Sequence, residues 1–437
     1  MIKCGFYEKE ITPPLGCVIP GYYTPRIADG VVDKLYCRAM AVSNGEKTVV
    51  MMSVDAISVD RAVHDEMIKR LTAYTGIPES NVNISAIHTH TGPPRSGAKG
   101  DREYDEYLSR IGADCMILAV QAMDEATVKF GRGQVEDISF NRVYVMKDGH
   151  IQTAPEIGDP EVVRPHGPID PEVAVLYAES PDGKPLGAIV NFACHPDVIK
   201  GTKYSADWPG VVCASLKERF GPDFVGIFVN GTCGNINHVD VINGKEYPPS
   251  SHYLTMGKKV AAEAIRAIGE ALPVQGDKVD ARKLWLKLPQ RPWDMEKIRR
   301  AEHIVATVKP IEGLTVALGT GYPEQEALLT AKALLAGYNA RQEFHTVGVS
   351  AIRIGDCWFY GLPSEMFVQF GLYVKAHSPG RNNIVAELSN GSKGYIPLKD
   401  LILDTVYESR RNSFPMEAGS GEKIAETAVA LAQEMAD

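Results

Sequence analysis

Along most of this chain, apolar runs of strand length alternate with segments of helical period. Residues 48–60 (TVVMMSVDAISVD) are almost continuously apolar before turning polar, as a buried strand would be. Residues 61–76 (RAVHDEMIKRLTAYTG) then carry apolar side chains at helical spacing and stop on a glycine. NVNISAIHTH (81–90) predicts the next strand, and 101–126 a long amphipathic helix that becomes Ala-rich. An Asp-Gly turn in MKDGH (146–150) predicts a hairpin after SFNRVYV. A polar, proline-rich loop is expected from 153 to 171. Strand and helix patterns alternate again over 187–195, 209–220, 224–231 and 251–272. Residues 292–340 are mostly helical, broken by GLTVALGTGYP, and could form a lid, with an ordinary packing layer as the simpler reading. HTVGVSAIRIGDCWFYGLP predicts a hairpin about Gly355-Asp356, and SEMFVQFGLYVKAH a helix. No internal repeat or linker is visible. The fold expected is α/β (or α+β), with mixed β-sheets flanked by helices in a single large body spanning 1–437.

Composition narrows the setting. The 437 residues are 44% hydrophobic and 23% charged, ordinary for a soluble globular chain. A net charge of −9 gives no electrostatic footprint for nucleic acid or an anionic membrane, so neither is an expected partner. The start, MIKCGFYEKEITPP, lacks an apolar export segment, and no run approaches a membrane span. The eight cysteines form no CxxC pair, so reduced thiols in a cytoplasm are expected. Cys194 and Cys233 lie near candidate site segments, but read first as small core residues.

The chemistry concentrates where apolar strands stop. NISAI runs into His88-Thr89-His90, AIVNFAC into His195-Pro196-Asp197, GIFVN into Gly231–Asn235, and CWFYG into Leu362-Pro363-Ser364-Glu365. Ligands in open α/β sheets bind beyond the carboxyl ends of strands. If 81–90 is extended throughout, His88 and His90 face the same way, roughly 7 Å apart. Pro363 suits a first helical turn, which would set Glu365 at a helix start. His88, His195 and Glu365 together supply two imidazoles and a carboxylate, the make-up of a catalytic zinc site with an open position. Manganese, iron or nickel would accept the same donors. An isolated H-x-H pair can also be merely solvated, and Asp207 reads better as an N-cap than as a catalytic acid.

Several blocks occur in the order seen in the neutral/alkaline non-lysosomal ceramidases: GFYEKEITPPLG, GYYTPR, LYCRAMAV, ISAIHTHTGP, FNRVYV, FACHPDV with SADWPG, NGTCGNIN, GLPSEMF and GYIP with YES. The chain resembles the catalytic domain of that family from Gly5 to about Ser409. The H-T-H-[ST]-G-P block is the most specific. Such enzymes are zinc amidases that cut the N-acyl bond of ceramide. The resemblance implies a zinc ion held by His88, His195, Glu365 and Tyr395, with Tyr407 competing for the tyrosine role. It also implies that His90 faces substrate and bound water and that Arg142 lies on the substrate side. The family's catalytic serine, in a G-D-x-S-P block, is replaced by Asn237 in Gly-Asn-Ile-Asn. Asn237 cannot be a nucleophile, but its amide could stabilise an oxyanion. The family's secretory signal and C-terminal immunoglobulin-like domain are not expected here.

The resulting expectation is a cytoplasmic zinc-dependent hydrolase of an amide, ester or lactone in a small polar metabolite. Attack would come from metal-bound hydroxide. His90 would move protons to the leaving group, and Arg142 would anchor an anionic or hydroxyl-rich group. Two alternatives stay open: a metal-dependent lyase or isomerase, and a catalytically retired ligand-binding protein. A TIM-barrel amidohydrolase is disfavoured, because its H-x-H normally lies on the first barrel strand, whereas several elements precede His88.

Overall fold

The computed structural model describes residues 1–22, 26–95, 101–245, 247–311, 323–411 and 413–436. Lys3–Glu10, Tyr36–Ser43 and Thr48–Val54 form an antiparallel meander. The helix Arg61–Thr75, ended by left-handed Gly76, leads into Val82–Ala86, which returns parallel to Thr48–Val54. The helix Asp101–Gln121 then covers the first two strands and packs on Arg61–Thr75.

The same order recurs twice. Thr127–Gln134, Glu172–Glu179 and Pro185–Phe192 form a meander, followed by the helix Asp207–Phe220, the parallel strand Val225–Asn230 and the covering helix Pro249–Gly269. Val279–Pro289, Phe344–Ile354 and Cys357–Gly361 form the third, followed by the helix Val368–His377, the parallel strand Asn382–Ala386 and the covering helix Ser420–Gln433. The expectation of no internal repeat is therefore corrected. The repetition is one of topology, because a buried strand needs only apolar side chains on both faces and the units share no motif.

The three sheets bury their inner faces together. Met40 and Val49 from the first sheet, Leu176, Ile189 and Ile227 from the second, and Ile352, Phe359 and Ile384 from the third lie in one core cluster. The opposite faces of the first sheet, including Cys37, Ala39 and Ala41, belong to a separate layer under the helices. Strands buried on both faces read as continuous apolar runs, as the sequence shows. Buried polar ties close the seams between units. The Asn191 amide donates to the carbonyls of Val229 and Val385, each at 3.0 Å, and Ser53 Oγ donates to the Phe228 carbonyl at 2.6 Å. The mixed sheets flanked by helices agree with the α/β expectation.

The helices Met295–Thr307 and Pro323–Asn339 form an excursion between the first two strands of the third unit. Residues 312–322, the break in the expected lid segment, lie outside the described residues. In each unit the third and fourth strands run parallel, so their carboxyl ends open toward the same end of the sheet. That end carries the site.

Candidate metal centre

All three units contribute to a single point. His88 follows the fourth strand of the first unit, His195 the third strand of the second, and Glu365 the third strand of the third. His88 is not part of its strand, contrary to expectation. The strand ends at Ala86, and His88 takes a left-handed φ of 74°. Such a conformation costs a non-glycine residue about 1–3 kcal/mol and persists only where the surroundings fix it. Here the His88 N–H donates to the Ala56 carbonyl (2.9 Å), and Nδ1 lies 2.8 Å from the Ile57 carbonyl. The turn brings the His88 and His90 rings edge to face, centroids 4.9 Å apart. His195 Nδ1 faces the carbonyls of Cys233 (2.8 Å) and Ile236 (2.9 Å).

An imidazole that donates from Nδ1 to a carbonyl presents a lone pair at Nε2. Glu365 Oε2 lies 3.2 Å from His88 Nε2 and 3.4 Å from His195 Nε2, yet is aligned as a hydrogen-bond partner of neither. Tyr395 Oη lies 3.5 Å from His195 Nε2, and His90 Nε2 is 3.3 Å from His88 Nε2. Ligands about 2.0–2.1 Å from a tetrahedral zinc stand about 3.3 Å apart. Several buried lone pairs facing one another at that spacing, with an orphaned carboxylate oxygen among them, are what a divalent cation satisfies. The donor set fits the expected metal. Ligand nitrogens of His88, His90 and His195 all lie within 4.8 Å of one another, so His90 could also contribute.

Glu365 is not at a helix start, as Pro363 suggested. Glu365–Met366 is a short strand parallel to Tyr395–Ile396, and the helix begins only at Val368. Tyr407 packs edge-on against Tyr395, ring centroids 5.8 Å apart, and so lies behind it. Burial alone would raise the Glu365 carboxyl, but the histidines hold it well below its usual range. Burial and the neighbouring His88 push His90 down to about 3.

A second layer holds the first, and much of it the sequence did not reveal. Glu387, fully buried, accepts from the Cys233 N–H and thiol, each at 2.9 Å. The Cys233 carbonyl in turn faces His195 Nδ1. Burial raises the Cys233 thiol far above its usual range, which suits packing and not nucleophilic attack. Arg142 Nε is 2.7 Å from Glu408, its Nη2 donates to the Gly234 carbonyl (2.7 Å), and its guanidinium lies 5.4 Å from the Tyr395 ring centroid. It therefore backs Tyr395. Asn237 pairs with Phe140 in a two-stranded ladder, and its Oδ1 accepts from the Val239 N–H at 3.1 Å. Asp207 is the first helical residue and not the cap, which is Ala206. Its carboxylate accepts from the N–H groups of Trp208 and Ile199, and burial raises it to about 7.

Asp197 and His238 form a further pair, Oδ1 to Nδ1 3.1 Å, beside the site. Burial would raise Asp197, but His238, His90 and His195 hold it far below its ordinary value. The only hint in the sequence was the position of Asp197 two residues after His195. Over the site lies the hairpin around Gly21. His90 Nδ1 is 3.1 Å from the Gly21 carbonyl, and a β-carbon at Gly21, φ 104°, would meet that ring nitrogen at 2.7 Å. Arg26 donates to the His90 carbonyl, and Tyr22, 41% exposed, lies edge-on to His90 with centroids 5.6 Å apart. Tyr23–Pro25 of the GYYTPR block lie outside the described residues.

Comparisons with known proteins agree with this architecture. The neutral ceramidase of Pseudomonas aeruginosa is 22% identical over 401 residues, covering 79% of this chain and 58% of its own length. The neutral ceramidase of Oryza sativa subsp. japonica is 41% identical over 95 residues, 20% of this chain and 12% of the relative. The chain thus spans little more than half of the Pseudomonas relative, and its match to the rice relative is a short segment. The crystal structure of the Pseudomonas neutral ceramidase superposes with a TM-score of 0.73 at 20% identity, over 100% of this chain and 74% of that one, which shows the shared fold. The profile described as neutral/alkaline non-lysosomal ceramidase, N-terminal, matches residues 3–237, a stretch that includes His88, His90, Arg142, His195 and Asn237. With more than half its length matched, the chain belongs to the neutral/alkaline non-lysosomal ceramidase family.

Proposed function

We propose that this chain is a metal-dependent amide hydrolase acting on the N-acyl bond of a ceramide-type lipid. The observation that carries the reading is the convergence of His88 Nε2, His195 Nε2, Glu365 Oε2 and Tyr395 Oη at 3.2–3.5 Å spacings. These four residues would hold the ion, with zinc the metal their chemistry suits. When bound, it supplies Lewis acidity toward an amide carbonyl and makes water a competent nucleophile near neutral pH.

The chain's own residues supply the rest. His90, on the solvent side of His88 and fixed through Nδ1 by Gly21, is placed to carry a proton at Nε2 to the departing amine. Arg142, engaged by Glu408, keeps Tyr395 in register, and the hairpin bearing Tyr22 covers one side. The small polar metabolite expected from the sequence gives way to an acylated lipid. The family's relatives are named for ceramide, and Leu15, Tyr22 and Ile27 expose apolar surface on the covering hairpin. No described helix is long and apolar enough to cross a membrane, so the lipid would be met at a surface or in a micelle. An amide-hydrolysing family also favours hydrolysis over a lyase or a retired binder.

The test uses metal-replete protein and a short-chain N-acyl sphingosine in mixed micelles, run in ¹⁸O-water. Free amine together with ¹⁸O in the released acid is expected. Intact substrate would sink the reading, and deuterium entering uncleaved substrate in a parallel run in D2O would transfer it to the lyase alternative.

A further inference from the structure

Away from the metal centre, a cavity of about 290 Å³ lies where the helical excursion meets the third unit. Its charged lining residues are Arg341, Lys393, Arg411 and the titratable His345, and among the described residues no carboxylate lines it. The neighbouring cavity that shares Trp293 and Arg411 is different. There Lys297 pairs with Asp404 at 3.0 Å and Asp294 also lines the wall, so carboxylates stand among the cations.

The two arginines and His345 of the first cavity are held in place by neutral groups. The Arg411 guanidinium stacks 3.8 Å from the Trp293 ring centroid, and Nη1 reaches only the Pro292 carbonyl at 3.3 Å. Arg341 stacks on Tyr338 and donates to its carbonyl. His345 Nε2 lies 3.1 Å from Gln290 Oε1. Arg411 Nη2 and Trp293 Nε1 are buried donors with no hydrogen-bond partner among the described residues. A buried donor or cation left unmatched is costly, and native structures normally pair it. Burial and then Arg291 lower the Arg411 guanidinium to about 10, and burial, Lys393 and Arg411 depress His345.

We propose that this cavity binds an oxyanion, the carboxylate, sulfate or phosphate group of a ligand, through Lys393 and Arg411 with His345 and Trp293 alongside. Arginine and lysine donors converging without an internal acid are the complement of such a group, and the stacked guanidinium is already oriented for it. The inference does not depend on the hydrolase reading. Lys393 nevertheless lies two residues before Tyr395, and its N–H donates to Ser364 Oγ (2.9 Å), next to Glu365. An anion there would touch the loop that carries a candidate ligand.

The test is calorimetric titration of the full chain with sodium sulfate, phosphate and acetate at low ionic strength, with chloride as control. Saturable binding of one equivalent is expected for at least one oxyanion, weakening as salt rises. Its preference among the three separates a carboxylate site from a sulfate or phosphate site. Lys393→Gln and Arg411→Gln should each weaken binding about tenfold or more, while Lys297→Gln, whose cation is already paired, should leave it unchanged. Melting curves of each variant check that it folds. Absence of saturable binding would overturn the proposal. So would binding that survives both cavity variants or falls equally with Lys297→Gln.

Discussion

Glu365 and Tyr395 are register partners in a two-residue parallel ladder, and their side chains meet the same histidine, His195, at 3.4 and 3.5 Å. Backbone pairing therefore fixes an acid and a phenol beside one imidazole before any ion arrives. The close approach of Gly234 contributes to the fit: its N–H donates to the Met366 carbonyl, and a β-carbon there would meet the Glu365 carbonyl at 2.5 Å.

That arrangement separates the two tyrosines. Tyr395→Phe keeps the ring on Tyr407 and removes the hydroxyl, so zinc affinity should fall about 10- to 100-fold. Tyr407→Phe should leave it unchanged. Competition with a zinc indicator reads both. Equal losses in the two variants would contradict the placement of Tyr395 at the centre.

The left-handed backbone of His88 predicts a split between stability and metal. His88→Ala and His88→Gly should both lose most bound zinc by elemental analysis. Glycine tolerates φ 74° without strain, so His88→Gly should be more stable than His88→Ala by about 1 kcal/mol in urea. A more stable alanine variant would show that the turn carries no strain.

Asn237 uses its side-chain oxygen in a turn with Val239. Its replacement by alanine should cost about 1 kcal/mol of stability for the lost hydrogen bond and change turnover less than tenfold. A loss of about 10² to 10³ in kcat with the metal retained would instead assign the amide to the developing oxyanion.

Asp33 gives a pH dependence remote from the metal. Burial raises its carboxyl to about 6, although Ser205 and the Ala206 N–H donate to it. The unfolded chain ionises this group near about 3.9. Between those values the folded state holds a proton that the unfolded state has lost, so stability falls as pH rises from about 4 to about 6 and then levels. The decline is at most about 3 kcal/mol and smaller with solvent screening. Urea midpoints across pH 4–7 should show that decline in the parent and a flatter profile in Asp33→Asn. Identical profiles would remove the assignment.

The sequence by itself determined many of the longer strands and helices, because burial on one or two faces leaves a period that can be read locally; Val162–Pro165, expected within a loop, is instead a strand paired with Tyr144–Met146. The Asp148-Gly149 hairpin and the Gly355-Asp356 hairpin formed as their turn residues required, with Val143 opposite Thr153 and Ile354 opposite Cys357. It also named His88, His195 and Glu365 as metal-binding candidates, since strand ends with imidazole and carboxylate side chains stand out against apolar runs. Only the tertiary structure decided how these meet. The left-handed turn at His88, the Glu365–Tyr395 ladder and the Glu387–Cys233 support depend on contacts between residues far apart in sequence, and such contacts leave no local period. The threefold order of strands and helices was invisible for the same reason: topology constrains where apolar side chains fall, not which ones they are. Donors from all three units then converge at one end of the sheets, two of them, Glu365 and Tyr395, from the third.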